Sequence, residues 1–450
     1  MWLLVAAPSL AGGYFFSDSG IEALGRAGAW VAGADTQYAQ RYNPAGLTRI
    51  DRPTFNLGLS EVQQNVRFSR LLEDGTFAEE VRNEASPFDV PQAGFAMPLP
   101  EGFAFAFGFS SPFAALSRYP VDGAQRYSVV ETGIYEFTVG PSVAWRPNPA
   151  PWLAVGLTFE WNYLQVNESL AITVNGGDDP IGDIDVSARV TDSFSPMVGG
   201  GLLIEPVDAL SIGLAVQPPV QFKARGHGTL DFTGVSFDDG LEETVYTDDD
   251  VALAIGLPLE LRAGVAVRPI DVLELEFAAV YQGWSSLTAI EITDVNIEVE
   301  VKDSPIWEVL IPEDQRAVAD SFSLPAGLND TISLRLGGEI DVTPDVALRA
   351  GGSWESASVP PAKMSVTLVD PPKTQVAAGG SGWLGKRRLR IDLAGAWLFY
   401  PHLEIRDSEV VQVDAGVTPG VEPMVVGNGD LDSHGWIVGG QVSVALGKAP

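Results

Sequence analysis

Leu153-Ala-Val-Gly-Leu-Thr-Phe-Glu-Trp-Asn-Tyr-Leu164 alternates without a break. Successive side chains of an extended chain point to opposite sides. Leu153, Val155, Leu157, Phe159, Trp161 and Tyr163 therefore share one face, and Ala154, Gly156, Thr158, Glu160 and Asn162 share the other. The apolar face is complete and ends in two aromatics, as a strand does when it runs through hydrocarbon to a membrane interface. The same grammar recurs at Tyr135, Phe137, Val139, Val143 and Trp145, and at Leu273, Leu275, Phe277 and Tyr281. It returns at Leu334, Leu336, Ile340 and Val342, at Val346, Leu348 and Trp354, and at Leu389, Ile391, Leu393, Trp397 and Phe399. Trp436, Val438, Val442, Val444 and Leu446 complete the series.

Composition agrees. Charged residues are 19% of the 450, below the roughly 25% of soluble domains. Mean hydropathy is +0.12, yet no window offers the ~18 consecutive apolar residues of a membrane helix. A membrane barrel resolves the conflict, because only alternate residues need be apolar and closure satisfies every backbone group. A soluble β-sandwich also alternates. It does not call for strands of about ten residues with aromatics at their ends, or for tight turns such as Arg268-Pro269-Ile270-Asp271 opposite long acidic loops. The net charge of −32 opposes binding to nucleic acid. The absence of cysteine removes disulfides, thiolate metal sites and a thiol nucleophile.

The first fifty residues differ from all this. Met1 to Ala11 has the apolar core and small residues of a secretory signal's end, with cleavage expected before Gly12. Ile21 to Leu47 is rich in small residues, with Ile21, Leu24, Gly28 and Val31 at helical spacing and Pro44 as a stop. Residues 12–51 are thus expected to form a small helical plug, and residues 52–450 the barrel. Several inward positions of the strands are charged: Glu160, Arg262, Arg268, Glu274, Glu276, Arg335, Glu339, Arg349, Arg390 and Asp392. An open pore would hydrate them, whereas a plugged one must pair them with each other and with the plug.

Leu24-Gly25-Arg26-Ala27, Asn43-Pro44-Ala45, Arg52-Pro53-Thr54-Phe55, Leu257-Pro258, Tyr281-Gln282-Gly283-Trp284-Ser285 and Ser356 to Pro361 together resemble the FadL-type outer-membrane transporter family. The resemblance implies an all-β membrane protein: a 14-stranded antiparallel transmembrane β-barrel closed by an N-terminal helical hatch. It also implies inward passage of long-chain fatty acids or aromatic hydrocarbons, without a cofactor, and lateral exit at a kinked third strand near Asn43, Pro44 and Ala45. Phe103-Ala-Phe-Ala-Phe-Gly-Phe109 is the candidate strand, with its kink at Ser110, Ser111 and Pro112. Pro112 cannot donate to a ladder, and the small inner face of Ala104, Ala106 and Gly108 leaves room for a hatch or an alkyl chain. Tyr14, Phe15 and Phe16 align with the family's substrate-contacting N-terminus. A monomer set in outer-membrane lipid and lipopolysaccharide is the implied assembly.

Other chemistry is thinly represented. His227, His402 and His434 show no metal-ligand spacing, and His227 in Arg225-Gly226-His227-Gly228 is the one candidate for an outer-membrane lipid hydrolase. Asp178, Asp179, Asp183 and Asp185, and Asp248-Asp249-Asp250, suit solvated loops better than a calcium loop. Gly199-Gly200-Gly201 lacks the Lys-Ser/Thr of a phosphate loop. A general porin for polar solutes is the main alternative to a selective channel.

Overall fold

The computed structural model describes residues 20–173, 178, 180, 183–231, 245–293, 321–325, 327–412 and 424–447, the side chains of 245–249, 289–292 and 321–325 excepted. Alternation becomes a closed antiparallel barrel of 14 wall strands. In chain order they are Thr54–Arg70, Phe88–Pro98, Phe103–Ser110, Glu131–Trp145, Leu153–Thr173, Asp183–Val207 and Leu210–Gln217 continued by Val220–Asp231. Val245–Leu257 continued by Glu260–Ile270, Leu273–Gln282, Thr331–Thr343, Val346–Glu355, Lys373–Leu384, Leu389–Phe399 and Gly429–Ala445 follow. The last pairs with the first from Thr54 opposite Ala445 to Arg70 opposite Gly429, so no edge is left there.

Outward residues remain apolar and uncovered, as lipid requires. Leu57, Leu157, Leu336 and Leu393 are each more than 60% exposed, while their inward neighbours are buried. Turns such as the one joining Val207 to Leu210 are tight at one end of the barrel, and the long connections lie at the other. That asymmetry sets the tight-turn end toward the periplasm.

The lumen has two tiers. Gly20 to Leu47 is buried almost throughout and occupies the tight-turn half, with short helices Ile21–Leu24 and Ala39–Tyr42 and a 3₁₀ turn at Pro44–Arg49. Trp30, Tyr38, Tyr42 and Leu47 pack there against Ala104, Ala106 and Ala144 of the wall. The small inner face of the third strand thus receives the hatch rather than an alkyl chain. The other half is apolar. Phe113, Ile134, Leu164, Val166, Val190, Phe222, Leu253 and Ile255 meet Trp284, Val359, Met364 and Leu368, which connecting loops fold inward.

Wall glycines follow from the hatch. A Cβ on Gly156 would lie 2.3 Å from the carbonyl carbon of Pro44, and one on Gly351 would lie 2.4 Å from that of Arg26. No rotamer change relieves a clash with backbone, so these inward positions admit no side chain.

Candidate functional site

Segments without long helices cannot satisfy their own amides, and this hatch meets that need from the barrel wall. Glu276 accepts from three successive amides, Val31 at 2.5 Å, Ala32 at 2.8 Å and Gly33 at 2.8 Å. Arg26 stands 2.9 Å from Glu274 and 3.6 Å from Glu276. Asn43 caps the turn at Pro44 by accepting from Ala45 N, while its amide donates to Val31 O and Leu202 O. Arg49 pairs with Glu205 at 2.7 Å and donates to Ala32 O at 2.6 Å. Glu22 faces Arg390 at 3.7 Å and accepts from Gln441 Nε2 at 3.1 Å. Anchors thus come from around the circumference, which distinguishes a seated plug from a loop lying against one wall.

The inward arginines are engaged in the same way. Arg349 pairs with Glu339 and with Asp392, Arg390 pairs with Asp392 at 2.8 Å, and Arg262 Nε donates to Glu260 at 2.7 Å. Arg335 Nε donates to Ser333 Oγ at 3.0 Å. Arg349 and Arg390 are thereby committed to the wall and hatch, while Nη1 and Nη2 of Arg262, which lies over the Tyr42 ring, make no hydrogen bond among the described residues.

Between hatch and apolar tier lies a cavity of about 30 Å³, room for one or two waters. Arg41, Glu136, Glu160, Gln217, Glu260 and Gln282 face it on the polar side, and Phe113, Met197, Val220 and Leu257 on the apolar side. Pro112, Pro218 and Pro258 also line it. Each marks an interruption of a wall strand, because proline brings no N–H to a ladder.

The interruption at Pro112 opens a seam. The third strand stays joined to the fourth: Ser110 faces Thr138, and Ser111 Oγ donates to Glu136 O at 2.7 Å. Beyond Pro112, Ala114–Arg118 rejoins the same neighbour. On the other side the ladder to the second strand ends at Ala93 opposite Phe109. Carried on in register, Gln92 would face Ser110 and Pro91 would face Ser111, and neither pair forms. Backbone bonding resumes only where Glu84 N donates to Arg118 O at 2.7 Å. A second small cavity lies at this seam, lined by Phe88, Ala114, Ala115, Leu116, Val366 and Val369.

The sequence-marked residues distribute as follows. Ser110, Ser111 and Pro112 sit at the seam. Asn43, Pro44 and Ala45 press on Gly156 and Gly201 of the fifth and sixth strands. The hatch residues nearest the kink are Gln40, packed on Gly108, and Arg41, which shares the cavity with Pro112. Tyr14, Phe15 and Phe16 lie outside the described residues, as do residues 1–11 and Asp179. His227 is exposed on its strand, across the ladder from Arg189 and away from the luminal cavity. Asp178 and Asp183 are not solvated loop charge: Arg126 holds them at 3.0 and 2.5 Å, and Arg70 is 3.2 Å from Asp178. Burial pushes the Asp183 carboxyl up, against the pull of Arg126. Pro91 and Glu136 went unmarked, although a proline inside an alternating run and a carboxylate between Tyr135 and Phe137 were both visible signals.

A family model described as outer membrane protein transport protein (OMPP1/FadL/TodX) matches residues 2–445. The chain belongs to that family. It is an outer-membrane β-barrel transport protein and not an enzyme. Among solved structures, a Pseudomonas aeruginosa FadL homologue is similar at 15% identity and TM-score 0.76, covering 96% of this chain and 99% of its own. The Pseudomonas putida toluene transporter TodX aligns at 14% identity and TM-score 0.69, over 96% and 100%. The Ralstonia pickettii toluene transporter TbuX does so at 15% and 0.64, over 96% and 99%. At these identities the likeness to family structures speaks for the fold. No curated protein sequence matches significantly.

Proposed function

We propose that this family member carries hydrophobic compounds, long-chain fatty acids or aromatic hydrocarbons, passively inward through a plugged barrel, releasing them sideways between the second and third strands. The observation that carries the reading is the apolar upper lumen, where Ile134, Val166, Phe222 and Ile255 face the interior of a membrane barrel. A water-filled porin lines its interior with polar groups. Burying a ligand's apolar surface there yields about 25 cal/mol per Å², enough to hold it without a cofactor. The seam at Pro91 and Pro112 supports lateral release, since a wall opening lets an apolar ligand pass into hydrocarbon without crossing the charged hatch.

In this reading residues 12–51 form the hatch, 52–450 the barrel, and Met1 to Ala11 a leader removed before assembly. Tyr14, Phe15 and Phe16 would contact the ligand, Asn43, Pro44 and Ala45 hold the hatch, and the protein works as a monomer in lipid and lipopolysaccharide. The toluene transporters among the similar structures favour small aromatic compounds as the first ligands to try. Liposome swelling tests the plug: proteoliposomes should exclude small sugars yet admit toluene or a fatty acid. Rapid sugar entry through the intact protein would replace this reading with a general porin.

A further inference from the structure

The cavity above the hatch contains a polar group that neither the hatch nor the wall satisfies. Glu136 is 1% exposed, and neither of its carboxyl oxygens meets a side-chain hydrogen-bond donor among the described residues; its neighbours are the backbone of Phe113 and the charge of Arg41. Glu160, across the same cavity and also 1% exposed, has one oxygen without a partner. Leaving a buried carboxyl without a donor costs free energy, so a wall that places two such groups at one cavity is arranged for an occupant. Glu260 already accepts from Arg262 Nε at 2.7 Å and Gln282 Nε2 at 2.8 Å, and Arg41, the one cation lining the cavity, donates to Gln217. Three carboxyl groups and one guanidinium thus line the same small space.

The other side of the cavity is continuous with the passage, because Phe113, Met197 and Val220 belong both to its lining and to the apolar tier. The cavity, with room for one or two waters, suits a small polar end. We propose that Glu136, assisted by Glu160, receives the hydrogen-bond-donating end of an amphiphilic ligand, an alcohol, an amine or a neutral carboxylic acid, whose apolar tail lies in the tier above. This rests on the transport reading and narrows it. A fatty acid enters the site as the neutral acid, its O–H donated to a Glu136 oxygen, and not as the carboxylate, which would bring a further charge into a buried site. Glu136 N also donates to Phe113 O at 3.0 Å, so the head-group site lies on the backbone of the kinked strand itself.

The test is equilibrium binding of 1-decanol, decylamine and decanoate to the full chain in lipid nanodiscs at pH 8, where decanoate is ionised, with empty discs as the partition control. The alcohol and the amine should bind about tenfold more tightly than decanoate, the worth of one hydrogen bond. Glu136→Leu should bring the three within about twofold of each other by removing that bond. Glu136→Gln keeps the shape and offers a neutral donor, so decanoate should gain on decanol even if the leucine variant fails to assemble. Equal binding of all three to the wild type, or a preference that survives both variants, overturns the head-group site and leaves transport standing. No binding of any of them above the empty discs overturns the transport reading as well.

Discussion

Asn43 and Leu202 join the hatch to the barrel wall: the Asn43 amide donates to Leu202 O at 3.0 Å and, with its other hydrogen, to Val31 O at 3.0 Å. One planar side chain thus ties the end of the hatch to its own middle and to the sixth strand. Its oxygen caps the turn at Ala45. Asn43→Leu would remove all three of these bonds, at about 0.5–1.5 kcal/mol each. The barrel should still assemble, because its ladders are elsewhere. Liposome swelling by small sugars should rise from near zero, and unchanged exclusion would show that the other anchors suffice.

Glu276 is the more costly anchor to remove. Glu276→Gln can keep an acceptor for the amides of Val31 and Ala32, which share Oε1, but sets an NH2 against the Gly33 amide that bonds Oε2 and strips Arg26 of one of its two carboxylate neighbours. Unpairing one member of a buried ion pair typically costs about 3–5 kcal/mol. Because Glu274 still holds Arg26 at 2.9 Å, the lower end of that range is expected. Planar-bilayer recordings should show brief large openings as the hatch unseats, absent from the wild type.

At Gly351 the argument is steric. A side chain there meets the Arg26 carbonyl at 2.4 Å, and overpacking of this kind costs about 1–3 kcal/mol or displaces the neighbour. Gly351→Leu should therefore push the hatch aside and expose Arg26, now 2% exposed. Limited trypsin digestion should cut at Arg26 in the variant and spare it in the wild type.

Closing the seam tests lateral release. Pro91→Val combined with Pro112→Val removes a proline from each strand flanking the seam and allows the ladder to continue past Ala93 and Phe109. Cells carrying the double variant should take up toluene or a fatty acid no faster than cells lacking the protein, while the barrel keeps its heat-modifiable gel mobility. Uptake equal to wild type would place the exit elsewhere.

Much of the fold was legible because a membrane barrel needs only a local rule. Lipid on one side and protein on the other force a period of two, so Leu157 and Phe159 declare their face without reference to any distant residue. The site was less so. Pro112 announced a break by its chemistry, but its consequence depended on the second strand, whose Pro91 lies where the ladder past Ala93 and Phe109 would continue. Glu136 stands out only once the wall is closed, where no side-chain donor reaches its carboxyl oxygens.

By itself, the sequence determined the membrane barrel, the inward and outward faces, and a small-residue preface unlike everything after it, because each is a property of neighbours along the chain. Only the tertiary structure decided which inward charges meet which hatch groups, that Gln40 and Arg41 rather than Asn43 lie nearest the kink, and that the upper lumen is apolar. Those relations join residues as distant as Arg26 and Gly351 or Glu22 and Gln441. They exist because closure of the barrel, through the pairing of Thr54 with Ala445, wraps the wall around residues 20–47.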